Sequence, residues 1–136
     1  MSDLTLSYVF GSWQAVIITL DSLANSAIAT SSLIDFSGAT GIEIELNLNG
    51  TASATSFLNI GIGRVGSDGT SVSSFENSKG VQTMFFSATP NLYIRYNELP
   101  LNKAKLYVEN KTGAALGGSG NTMKYRTVTQ KSTVNA

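Results

Sequence analysis

Ile42-Glu-Ile-Glu-Leu-Asn-Leu-Asn49 alternates apolar and polar residues along its whole length, placing Ile42, Ile44, Leu46 and Leu48 on one face of an extended strand and Glu43, Glu45, Asn47 and Asn49 on the other. One face is built for a core and the other for water. The pattern recurs. Phe57 to Val65 sets Leu58, Ile60 and Ile62 against the nearly bare positions Asn59, Gly61 and Gly63, and a bare face invites a bulge or the close approach of another backbone. Asn91 to Tyr96 alternates Leu92, Ile94 and Tyr96 with Tyr93 and Arg95, and Lys103 to Glu109 alternates Ala104, Leu106 and Val108 with Lys103, Lys105, Tyr107 and Glu109. No stretch sustains a 3.6-residue period for three turns, so helices have no sequence basis.

Weaker strand signals run over Gln14 to Leu20, Ser32 to Phe36, Val81 to Phe86 and Met123 to Gln130. Turn clusters at Ser37 to Gly41, Asn49-Gly50, Gly66 to Gly69 and Gly113 to Asn121 separate the strands. About eight short strands at this spacing predict an all-β, antiparallel two-sheet β-sandwich of jelly-roll type, with a small closed barrel as the alternative. A chain of 136 residues has the length of one domain, and neither a linker nor an internal repeat divides residues 1–136. Residues 1–12 and 131–136 lack a core pattern and are expected as an N-terminal arm and a C-terminal tail. The polar stretches Gly50 to Ser56 and Ser67 to Gly80 are loops and interface candidates.

Composition narrows the chemistry. The chain has no cysteine and no histidine, which removes disulfides, zinc thiolates, His-ligated metals, Cys nucleophiles and every triad with a His base. The remaining enzymatic patterns are incomplete. Gly61-Ile-Gly-Arg-Val-Gly66 matches the dinucleotide fingerprint, but the polar run Ser67 to Ser71 follows where the pyrophosphate needs a helix N-terminus. Glu43 and Glu45 have a spacing open to an inverting glycosidase, yet nothing nearby supplies the raised-pKa environment of a general acid. Asp68 lacks the further oxygen ligands of a calcium loop and reads as a turn residue. Asn49-Gly-Thr51 and Asn110-Lys-Thr112 fit the N-glycosylation pattern, which is read as incidental because no secretory signal accompanies it. The chain is therefore expected to be neither an enzyme nor a cofactor- or metal-binding protein.

Charged residues make up 13% of the chain, about half the usual ~25%, so Ser, Thr, Asn and Gly must cover the surface. Seven acids against Arg64 leave residues 1–78 at −6, and eight bases against Glu98 and Glu109 leave residues 79–136 at +6. Interleaved strands would make this a mixed surface; segregated ones would make a two-signed surface suited to contact between subunits. Lys103, Lys105, Lys111, Lys124, Arg126 and Lys131 cluster in sequence, but zero net charge argues against a nucleic-acid partner. The six-residue apolar run Ala15 to Leu20 is too short for a membrane span, and the start has no basic signal region, so a soluble cytosolic product is expected. Tyr8, Phe10 and Trp13 form an aromatic group ahead of the first confident strand and are the candidate partner-binding residues.

Two segments carry a family resemblance. Leu99-Pro-Leu-Asn-Lys-Ala-Lys-Leu-Tyr-Val-Glu-Asn-Lys-Thr-Gly-Ala-Ala-Leu116, running on to Gly120-Asn-Thr-Met-Lys-Tyr125, together with Ile18-Thr-Leu-Asp-Ser-Leu-Ala24, resembles small structural proteins of tailed-phage virions. In that group a similar opening and late pattern flank a β-sandwich. The resemblance implies a virion component made in the host cytoplasm, a capsid decoration or cement protein on the capsid exterior. Its implied partners are the major capsid protein and further copies of itself, as a trimer or at capsomer junctions. A tail, neck or fibre component is the alternative. A carbohydrate-binding module using Trp13, Tyr93 and Tyr107 is a third reading, from a different class.

Overall fold

The computed structural model describes residues 3–36, 38–49, 56–66, 68, 71, 79–85, 91–96 and 103–135, which contain strands and no helix. The strands are β1 (Asp3–Phe10), β2 (Gln14–Ala15), β3 (Ile28–Thr30), β4 (Ile34–Asp35), β5 (Gly41–Asn47), β6 (Phe57–Arg64), β7 (Lys79–Phe85), β8 (Asn91–Tyr96), β9 (Lys103–Lys111) and β10 (Thr122–Asn135). They form two antiparallel sheets, one ordered β1-β10-β5-β8 with β2 also on β10, the other β3-β9-β6-β7 with β4 also on β9. No ladder joins the two sheets among the described residues, so the alternative of a closed barrel is not realised.

The alternating strands supply the core as their pattern requires. Ile42, Ile44, Leu46, Leu58, Ile60, Ile62, Ala104, Leu106 and Val108 are all buried between the sheets, joined by Leu20, Phe36, Leu116 and Met123. Each such aliphatic side chain contributes roughly 1.5–3 kcal/mol by leaving water. Phe36 meets the partly buried Tyr125 edge-on at 5.2 Å. Gly61 marks a register shift in the β6–β7 ladder, between Ile60 and Ile62, as the bare face of that strand implies.

Two expected strands are shorter than their apolar runs. In Gln14 to Leu20 only Gln14 and Ala15 pair with β10; the Val16 N–H then donates to the Met123 carbonyl, while the Ile17 carbonyl accepts from Ser32. The chain is crossing from one sheet to the other there. In Ser32 to Phe36 only Ile34 and Asp35 pair, because Ser31 interrupts the edge: its N–H bonds the Leu106 carbonyl and its Oγ accepts from the Leu106 N–H at 2.8 Å. Strands β3 and β4 are thus one bulged edge on β9.

Strands β1 and β2 form the corresponding edge on β10, shifted by one residue at Gly11. The Gly11 N–H bonds the Thr127 carbonyl at 2.9 Å, and a Cβ there would stand 2.5 Å from Thr127 Oγ1. A side chain at this position would have to displace the Thr127 hydroxyl. Bulged edges resist adventitious pairing with other sheets. The stretches expected as arm and tail are strands paired with each other, from Asp3 opposite Asn135 to Phe10 opposite Val128.

Candidate interaction face

Register determines which side chains share a face. In β10, Met123 and Tyr125 point toward the core, so Lys124, Arg126, Gln130, Ser132 and Val134 alternate to the other side, together with Val128, which is covered there and only 2% exposed. Residues directly opposite on β1 follow: Phe10 beside Val128, Tyr8 beside Gln130, Leu6 beside Ser132 and Leu4 beside Val134. The apolar half of the alternation in β1 is therefore turned away from the sandwich interior. Strand β5 reaches only to Val128, so beyond it β1 and β10 continue as a two-stranded ribbon. Leu4, Leu6, Tyr8, Phe10, Trp13 and Val134 are 63, 57, 55, 45, 37 and 66% exposed on this face or at its base.

Arginines bind the base of the face together. The Arg126 guanidinium lies 4.5 Å from the Phe10 ring centre and 4.7 Å from that of Trp13, and its Nε donates to Glu43 Oε1 at 2.7 Å. Arg95 reaches over from β8 to 5.5 Å from Tyr8 and 6.0 Å from Phe10. Glu43 stands opposite both Arg126 and Arg95 in the ladder, so one cross-strand row carries cation, anion and cation. Stacked guanidinium–aromatic contacts each contribute about 0.5–1 kcal/mol at exposed sites.

The structure thus brings Tyr8, Phe10 and Trp13 into one cluster. Their arginine partners were not legible in the sequence, because they sit more than eighty residues away and only the register aligns them. Leu4 and Leu6 had a signal that was passed over: Leu4-Thr-Leu-Ser-Tyr8 alternates as clearly as the core strands do.

Other sequence candidates are placed differently. Tyr107, expected to be exposed for glycan binding, is buried, opposite Gly61 in the β6–β9 ladder. Of Tyr93 only the backbone is described, and the loops at Gly50 to Ser56 and Ser67 to Gly80 lie mostly outside the described residues. Asp68 turns its carboxylate onto the N–H and hydroxyl of Ser71, a turn role. Among the described residues no three Asp or Glu side chains group closely enough to hold a metal ion. Gly61 and Gly63 lie within β6 and not at the end of a strand, and most of the residues after Gly66 lie outside the described residues. The basic cluster is divided, with Lys103, Lys105 and Lys111 on β9 and Lys124, Arg126 and Lys131 on β10, in different sheets. The charge halves interleave, since Glu43 and Glu45 on β5 stand opposite Arg126 and Lys124, and Asp35 opposite Lys103. No helix of the described residues is long and apolar enough to cross a membrane.

The two segments behind the family resemblance bond to each other. Asn110, fully buried, donates through Nδ2 to the carbonyls of Leu23 and Ala114, each at 2.9 Å, and accepts at Oδ1 from the Thr112 N–H and hydroxyl. Asn121 donates to Asp21 Oδ1 at 2.9 Å and to the Gly117 carbonyl at 2.7 Å, and accepts from the Asn49 N–H. Backbone bonds from Leu116 to Leu23 and from Ser22 to Gly117 close the clasp. A Cβ on Gly117 would come within 2.8 Å of the Asn49 carbonyl, which explains the glycine. These side chains hold loops, and the Asn110 nitrogen that a glycan would need is already bonded and out of reach. Compared with protein families, with curated proteins and with solved structures, the chain matches none.

Proposed function

We propose that this chain is a non-catalytic structural subunit of a tailed-phage virion, a decoration or cement protein that sits on the capsid exterior and bridges major capsid subunits. The observation that carries the reading is the ribbon: a folded chain that keeps an apolar, arginine-clamped face outside its own core is built to be covered by something else. The strand order supports it. Ladders β6–β7, β5–β8, β9 with β3 and β4, and β10 with β1 and β2 are nested inside one another, a pairing compatible with a jelly roll, the architecture of many viral capsid and lectin domains. A cement protein that binds only the assembled shell adds its affinity to shell stability by mass action. Glycan binding is less well served, because Arg126 stacks on Trp13 and Tyr107 is buried.

Heads assembled without the protein should lose resistance to heat or chelation and regain it when the protein is added back. Unchanged stability, together with absence of the protein from purified heads, would sink the proposal. A low-resolution map of the virion separates the head from a tail, neck or fibre position.

A further inference from the structure

We infer that the outer face of the β1–β10 ribbon is covered by the same face of a second copy, so that the chain assembles as a two-fold dimer. The inference deepens the reading above, resting on the chain being an assembly subunit, and names the occupant of its exposed face.

Size is the first argument. The six exposed apolar side chains present on the order of 600 Å2. Two such faces pressed together remove about 1,200 Å2 from water, the lower end of stable protein interfaces. Self-complementarity is the second. The face runs from an aliphatic end at Leu4 and Val134, through Leu6, to an aromatic end at Tyr8 and Phe10. An antiparallel two-fold near Leu6 lays the aliphatic end of each copy on the aromatic end of the other, as an isologous contact requires.

Charge is the third argument. The base of the face alternates Arg126, Glu43 and Arg95, and a two-fold near Leu6 sets the bases of the two copies at opposite ends, so their cations do not meet. The whole chain is neutral, with only 13% charged residues, which removes the long-range repulsion that keeps like molecules apart. A strongly basic or acidic partner would find no matching field here.

Sedimentation of the full chain from low to high micromolar concentration tests this. The wild type should dimerise, and its single Trp13 at the edge of the face should shift to shorter emission wavelength as it does. Leu6→Lys enters a symmetric dimer twice and should raise the dissociation constant at least ~100-fold. Ser7→Lys, on the opposite side of the ribbon, should change it less than about threefold. Thermal melting of both variants checks that each remains folded. A monomer at every concentration, a dimer that ignores Leu6→Lys, or equal weakening by both variants would overturn the inference. So would Trp13 emission that shifts only when phage heads are added, which would give the face to the head. A dimer that behaves as expected but never binds heads leaves this inference standing and removes the decoration reading.

Discussion

Strands β1 and β5 are written in the same pattern and meet opposite fates. In β5, Ile42, Ile44 and Leu46 are fully buried because a second sheet lies across from them; in β1, Leu4, Leu6 and Tyr8 alternate as regularly and stay more than half exposed because no described strand lies across from them. Both strands pair with β10. Alternation specifies a two-faced strand, and only topology decides whether the apolar face is covered by the chain itself or left for another molecule.

Mutations can break this contrast. Ile44→Ala leaves a cavity between the sheets and should cost about 3–4 kcal/mol in chemical denaturation. Asn110→Ala removes the partners of the Leu23 carbonyl and the Thr112 N–H from a part-buried loop clasp, and should cost about 2–3 kcal/mol by the same measurement. Glu43→Gln removes the charge from a partly exposed ion pair and should cost about 0.5 kcal/mol at low salt, shrinking as salt is added. Leu6→Ala should cost less than about 0.5 kcal/mol at concentrations where the chain is monomeric. A loss at Leu6 approaching that at Ile44 would mean that the ribbon belongs to the monomer's own core, and the contrast would fail.

Sequence reading recovered the sandwich where burial and alternation coincide, as in Ile42 to Leu48, Leu58 to Ile62 and Ala104 to Val108. It found the three aromatics of the exposed face by residue type, but missed the ribbon that carries them, since the strand partner of Asp3 to Phe10 lies at the far end of the chain. Arg126 and Arg95 gave no local signal for the same reason. The apolar run from Val16 to Leu20 looked like a strand and is a crossing between sheets, because apolar content cannot tell which carbonyl a backbone N–H will find. In the sequence Asn110 belongs to an incidental glycosylation pattern and Asn121 to a turn cluster; that both are buried and bonded depends on Leu23, Asp21 and Asn49, contacts between segments remote in sequence.

The nested pairing also orders events in time. The β6–β7 ladder joins neighbouring stretches, whereas β1 meets β10 only after the whole chain has come round, and closing so large a loop becomes affordable once the inner ladders have shortened it. The ribbon is thus expected to zip last, and hydrogen-exchange labelling during refolding should protect β6 and β9 before β1. If the ribbon is the face through which the chain assembles, a subunit that has not finished folding cannot present it, and the topology itself would keep such chains out.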